Sequence, residues 1–279
     1  MKASGKRLVI VAAVLLASAA ASASAGLSYS GGTYAQDFDT LPTQTFTANT
    51  VTGRGPITIG TGFGAVAGVD GWFGGNFGGS STNTEFRAQN GSLGSSAGRG
   101  IISFGTDTSA ERALGLQSTS NQLNSVGLVL QNTTGLTITS ATVSYVGEQW
   151  RRGDVNTPDK LLFDYLLSTA SDVNINASGF ARVTALDFAS PNTQTSPTQV
   201  ALDGNATANR LAISSELSNL NWIPDSYLVL RWSAQDLSGQ DDGLAIDAVR
   251  FTSTPEPASA ALLALGGMLT LGRRKATGK

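Results

Sequence analysis

The chain of 279 residues contains no His and no Cys. Those absences remove the commonest general base, the commonest transition-metal ligand and all thiolate and disulfide chemistry. A Ser-His-Asp triad is impossible. Lys160 is the single lysine outside the two ends, so a Ser-Lys pair has one candidate. Any chemistry left to the chain is carboxylate chemistry: proton transfer between paired acids, or oxygen coordination of a hard cation.

Three acidic groupings stand out. Glu148 sits in Gly147-Glu148-Gln149-Trp150-Arg151-Arg152, and Glu111 sits beside Arg112. Glu148 with Glu111 is the candidate pair for a glycan hydrolase or lyase, which would need ~5–9.5 Å between the carboxyls. The plainer expectation is an ion pair of Glu148 or Glu111 with Arg112 or Arg151. Asp236, Asp241 and Asp242 flank Ser238-Gly239. Acids around a glycine suit calcium, but the spacing is not that of an EF-hand, and the expectation is an ordinary turn. Aromatic residues form a fourth group: Trp72, Phe73, Phe77 and Phe86 lie in the glycine-rich Gly71–Gly100 stretch. They are expected to pin long loops to the core, the alternative being sugar stacking.

The elements that must position these residues read as short strands between polar turns. Candidates are Tyr34–Phe38, Ile101–Phe104, Val126–Gln131, Leu136–Val146, Leu161–Leu167, Ala181–Phe188, Tyr227–Ser233 and Leu244–Thr252. Alternation is plainest in Tyr227–Ser233, where Leu228, Leu230 and Trp232 share one face. No amphipathic helix of ten residues or more is evident. The expected architecture is all-β, a jelly-roll sandwich of two antiparallel sheets over one core. The last strand carries an anomaly: Leu244 and Ile246 share one parity, Val249 and Phe251 the other. A uniform strand cannot bury all four in one core, so an extra residue is expected at Asp247–Ala248, a β-bulge, unless both faces are buried.

The ends differ from the body. Lys2, Lys6 and Arg7 precede an apolar run from Leu8 to about Ala17 and then small residues ending Ala23-Ser24-Ala25. This is the order of a secretory signal peptide, expected to be cut by signal peptidase after Ala25, with Ala23 the alternative. At the other end, Pro255-Glu256-Pro257 precedes an apolar stretch from Ala258 to Gly272 and the basic Arg273-Arg274-Lys275. The expected division is therefore 1–25 signal peptide, 26–253 β-sandwich and 254–275 tail. The ends hold seven basic residues and one acidic one, which leaves the body with 11 basic and 19 acidic residues and a charge near −8. An acidic body argues against nucleic-acid binding, which needs basic surface.

The ordered tail resembles the PEP-CTERM sorting signal of Gram-negative and related bacteria. That resemblance implies processing at Pro255-Glu256-Pro257 by an exosortase and transient inner-membrane association, with Arg273 and Arg274 on the cytoplasmic side. It also implies delivery to the cell envelope, surface or extracellular matrix, alongside exopolysaccharide. The body resembles a secreted bacterial jelly-roll domain recognised by pattern rather than activity. The resemblance is carried by Gln36-Asp37-Phe38-Asp39, Glu111-Arg112-Ala113-Leu114-Gly115, Gly147-Glu148-Gln149-Trp150-Arg151, Ala185-Leu186-Asp187-Phe188, Ala201-Leu202-Asp203-Gly204-Asn205, Leu230-Arg231-Trp232 and Asp242-Gly243-Leu244-Ala245-Ile246-Asp247. The first and last of these segments also resemble concanavalin- and MAM-like jelly rolls, in which acids on the terminal strands share a structural calcium. That implies Asp39 and Asp247 as ligands, with Asp37 a substitute, and one calcium as the sole cofactor. A second Asp often follows in the last strand; here the position is Ala248. The function these readings imply is that of a non-catalytic exported surface protein associated with polysaccharide, the alternative being a carboxylate-dependent glycan hydrolase or lyase.

Overall fold

The computed structural model describes residues 26–43, 48–63, 68–153, 156–193 and 199–255. Ala23, Ala25, Glu256, Pro257, Arg273 and Arg274 lie outside the described residues, and with them the whole expected signal peptide and most of the tail.

The described residues form a β-sandwich of two sheets. The eight-stranded sheet runs in the order Ala181–Arg182, Lys160–Ser168, Tyr227–Ala234, Leu123–Asn132, Trp72–Gly78 and Ile57–Thr58. Leu27–Tyr29 adds to Leu123–Asn132, and Phe188–Ala189 to Lys160–Ser168. The nine-stranded sheet runs Val200–Ala201, Ile138–Arg152, Gly243–Pro255, Ala113–Gln117, Gly100–Phe104, Asn83–Gln89 and Asn49–Thr52. Arg210–Leu217 adds to Ile138–Arg152, and Thr33–Gln36 to Gly243–Pro255. Pairing is antiparallel except between Leu27–Tyr29 and Leu123–Asn132 and between Asn83–Gln89 and Gly100–Phe104. The helices among the described residues are single turns.

One apolar core fills the space between the sheets. Leu228, Leu230 and Trp232 point into it from one sheet and Val143, Tyr145 and Phe251 from the other. Trp232 stacks on Trp72 at 5.7 Å and meets Tyr145 and Phe163 edge-on at 5.6 and 5.0 Å. Offset and edge-on contacts of this kind add about 0.5–1.5 kcal/mol each beyond the area they bury. The glycine-rich 71–100 stretch, expected as long loops with at most a short strand, supplies two seven-residue strands, Trp72–Gly78 and Asn83–Gln89. In the first of these a Cβ on Gly74 would stand 2.1 Å from Ile101, so that strand needs glycine for close packing rather than for flexibility. Trp72 and Phe86 are fully buried and Phe73 nearly so, which leaves these three rings no face for sugar. Ala181–Phe188, expected as one strand, is broken by a 3₁₀ turn at Thr184–Leu186 that carries Leu186 into the core.

The closing strand, Gly243–Pro255, resolves the parity anomaly. Val146 pairs with Asp247 but Ser144 pairs with Arg250, so Tyr145 alone opposes Ala248 and Val249. Ala248 takes up the extra residue with φ +47°. Leu244, Ile246, Val249 and Phe251 consequently all enter the core. This strand also pairs with Thr33–Gln36, so the first and last parts of the body are neighbours. It runs through Thr254 to Pro255, placing the first proline of the Pro-Glu-Pro motif opposite Ile138.

Candidate metal centre

Strand parity decides which carboxylates meet. In Ile138–Arg152, Val143 and Tyr145 face the core, so Glu148 and Trp150 point to the outer face of their sheet. In the closing strand, Ile246 faces inward and Ala245 and Asp247 outward. Val146 pairs with Asp247 and Glu148 with Ala245, so Glu148 and Asp247 are diagonal neighbours on that face. Glu111 lies just before the strand Ala113–Gln117, whose Leu114 and Gly115 pair with Ile246 and Ala245. It shares parity with outward-facing Ala113.

Glu111, Glu148 and Asp247 therefore converge, each offering a carboxylate oxygen within 4.8 Å of the others. Glu148 has no exposed surface. The Trp150 indole N–H donates to its Oε2 at 2.9 Å, while Oε1 is buried with no hydrogen-bond partner. Asp247 Oδ1 is likewise buried and unpartnered. Asn205 donates to Glu111 Oε2. Burial pushes the Glu148 carboxyl up to about 8, with Asp247 and Glu111 adding to the rise. Burial likewise pushes Asp247 up to about 7, helped by Glu111, Asp39 and Asp37.

A small apolar cluster roofs the site. Ile102, Phe104, Ala113, Trp150 and Ala245 pack together on the outer face, with the Phe104 and Trp150 rings parallel at 6.0 Å. The segment carrying Gly204 crosses over them: Leu202 N–H donates to Trp150 O at 2.9 Å. A Cβ on Gly204 would lie 2.3 Å from the indole. The roof explains how a glutamate comes to be sealed away from water in a sheet that otherwise faces solvent.

Of the three calcium ligands expected from sequence, Asp247 is in the trio. Asp39 and Asp37 stand close enough to act on its charge, and Asp39 Oδ1 accepts from Arg112 N–H at 3.2 Å. The remaining members, Glu148 and Glu111, were expected in an ion pair with Arg112 or Arg151. That expectation is corrected: no ion pair joins these groups. Arg112 donates to the Ser103 hydroxyl at 2.9 Å and to its carbonyl, and Arg151 to Gly91 O at 3.2 Å and to Gln199. Arg112 is turned to Ser103, whereas Arg151, which the register shift after Gln149 sets opposite Gly243 on the same face as Glu148, is taken by Gly91 and Gln199. The signal available in the sequence was the shared parity of Glu148 with Trp150, and of Glu111 with Ala113; what placed the two pairs side by side was sheet order.

Chemically, three converging carboxylates with bare buried oxygens either share protons or hold a cation. The donors are all oxygen, which suits a hard ion. Two oxygens each ~2.4 Å from a shared calcium lie at most ~4.8 Å apart, and the trio meets that limit.

No family model matches the chain, and no curated protein matches it. Among solved structures it is similar to TmCBM61 in complex with β-1,4-galactotriose, with TM-score 0.27, 8% identity, and 53% of this chain and 74% of that one covered. It is also similar to the K3 cleaved adhesin domain of Lys-gingipain from Porphyromonas gingivalis W83, with TM-score 0.33, 12% identity and 54% and 79% covered. A third is the isomalto-dextranase of Arthrobacter globiformis T6 complexed with panose, with TM-score 0.29, 12% identity and 81% and 33% covered. Likenesses at these TM-scores carry no functional argument.

Proposed function

We propose that the protein is an exported, non-catalytic jelly roll of the cell surface or extracellular matrix, locked by a calcium ion at Glu111, Glu148 and Asp247 and associated with exopolysaccharide. The observation that carries the cation is the convergence of three carboxylates with two buried oxygens that nothing in the fold satisfies. A bare buried carboxylate costs several kcal/mol unless it is neutralised, and a divalent ion neutralises two at once. Calcium takes 6–8 oxygens, so neighbouring Asp39 and water would complete the shell.

The non-catalytic reading is supported by access. The Glu111–Glu148 separation approaches the ~5–5.5 Å of a retaining glycosidase, and a carboxyl raised to about 8 would suit a general acid. Glu148, however, has no exposed surface and already accepts a hydrogen bond from Trp150, so a sugar oxygen has no path to it. Export and polysaccharide association rest on the signal-peptide pattern, the PEP-CTERM-like tail and the acidic body.

Chelator-stripped protein, melted with and without millimolar Ca²⁺ at pH 8, tests the cation. The melting temperature should rise with calcium, the stabilisation reaching ~2.7 kcal/mol at one hundred times Kd. Asp247→Asn should lose most of the response. Identical melting in calcium and chelator would overturn the reading. For the tail, C-terminal mass spectrometry of protein from the native host should show loss of the residues beyond about Pro257; intact Lys279 at the surface would sink the sorting proposal.

A further inference from the structure

Among the described residues, the strands with a single partner are short, with one exception. Val200–Ala201, Ala181–Arg182, Phe188–Ala189 and Ile57–Thr58 have two residues each, Leu27–Tyr29 three, and Asn49–Thr52 and Thr33–Gln36 four. The exception is Arg210–Leu217, with eight. It pairs with Ile138–Arg152 alone, in an unbroken register from Glu148 opposite Arg210 to Ala141 opposite Leu217. An antiparallel edge strand turns alternate N–H and C=O groups away from its partner, ready to pair with another chain. No described segment hydrogen-bonds to that far edge. Nor does the strand carry the devices that blunt an edge: it has no proline, no lysine, no bulge and no inward-facing charge. Ile213 and Leu217 reach the core, so Leu211 and Ser215 share the inward parity. Arg210, Ala212, Ser214 and Glu216 are exposed on the outward one. Leu211, although inward in parity, is 55% exposed, an apolar side chain left bare at the edge.

We propose that Arg210–Leu217 pairs antiparallel with the same strand of a second copy of this chain, joining two nine-stranded sheets across a two-fold axis at Ile213. What selects a second copy is the self-complementary order of the strand. With Ile213 on the axis, Arg210 lies opposite Glu216 of the second copy and Glu216 opposite its Arg210, so both ends close on opposite charges. Between them on the outward face, Ala212 meets Ser214, both small. On the inward face, Leu211 lies opposite Ser215 and diagonal to Ile213 and Leu217 of the second copy, which covers the bare leucine with apolar neighbours. Sliding the register by two residues sets Arg210 against Ser214 or Ser218 and loses both charge pairs. The pairing satisfies the open backbone edge and is independent of the cation.

Sedimentation velocity over a wide range of concentration, on the protein as its native host produces it, tests this. Chelator is kept present, because Arg210 stands opposite Glu148 and a charge change there would also touch the carboxylate trio. The parent should form dimers. Arg210→Glu and Glu216→Arg each set like charges opposite one another at both ends, and each should weaken the dimer about tenfold or more. Mixing these two variants restores opposite charges at both ends and should give heterodimers; the chain carrying both exchanges should dimerise like the parent. Leu211→Lys, at an exposed position where folding is not at risk, should be monomeric. A parent that stays monomeric throughout would overturn the proposal, as would a dimer that all three single variants leave intact. Weakened charge variants with no rescue in the mixture would overturn the register. Assemblies larger than two copies would overturn the two-fold closure.

Discussion

Glu148 combines complete burial, one satisfied oxygen and one bare oxygen. In metal-free protein its raised pKa makes it a pH-dependent liability. The unfolded chain releases this proton near the usual carboxylate pKa, whereas the folded chain keeps it to about 8. Between those values the folded state binds more protons, so stability is complete at the acid end of that window and falls as pH rises through it. Asp247, raised to about 7, has the same sign. Metal-free protein should therefore melt lower at pH 8.5 than at pH 5.5, and calcium should restore more at pH 8.5, because it must displace protons at pH 5.5. Thermal melts across that range check this; a chelated protein more stable at pH 8.5 would contradict the assignment. Glu148→Gln keeps an acceptor for the Trp150 indole and removes the buried charge. It should stabilise chelated protein at pH 8.5 by about 1–3 kcal/mol, since one unit of pKa shift corresponds to about 1.4 kcal/mol and the site relaxes in part. It should also abolish the calcium response, read through Trp150 fluorescence.

At the scale of elements, the site depends on a bulge and a roof. The bulge turns Val249 and Phe251 into the core while leaving Asp247 on the outer face beside Glu148. Ala248 carries the left-handed backbone there, and a β-branched side chain tolerates that conformation least. Ala248→Val should therefore cost about 1–2 kcal/mol in denaturant unfolding and weaken calcium binding with it. The roof is closed by Gly204 lying against the indole of Trp150. Gly204→Ala would drive a methyl into that ring and lift the 202–205 segment, taking the Asn205 bond from Glu111. The expected result is weaker calcium binding with a far-ultraviolet spectrum unchanged, because the sheets themselves are not touched. Full calcium affinity in this variant would show that the roof does not shape the site.

At the scale of the molecule, the two ends of the body are stitched together. The Tyr29 hydroxyl donates to Gly32 O at 2.6 Å and accepts from Ser253 N–H at 3.0 Å. Its ring meets Trp222 at 5.6 Å and Phe251 at 5.1 Å. Closing so long a loop delays folding, since the contact gives nothing back until the intervening chain is in place. Tyr29→Phe keeps the packing but strands a buried N–H, so it should cost about 1–3 kcal/mol. Equilibrium denaturation measures this, with loss below about 0.5 kcal/mol indicating that water takes over the bond. The carboxylate trio also belongs to this scale, because Glu148 and Asp247 come from two neighbouring strands and Glu111 from just before a third, all distant in sequence.

Composition and alternation were enough to determine an all-β body, its acidity and the carboxylate limit on its chemistry, because those follow from residue types and a period of two. The bulge was legible for the same reason: four apolar residues of mixed parity admit few arrangements. The strand at 72–78 was not legible at its full length, since glycine reads as loop until a neighbouring side chain, here Ile101, is found filling the space above it. Nor was the metal trio. Sequence placed Glu148 among arginines, yet Arg151, on the same face, is taken by Gly91 and Gln199 instead. Which carboxylates meet is set by which strands lie side by side and in what register, and those pairings are between residues far apart in the chain. Tertiary structure alone decided that Glu111 and Glu148 would join Asp247 rather than Arg112 and Arg151.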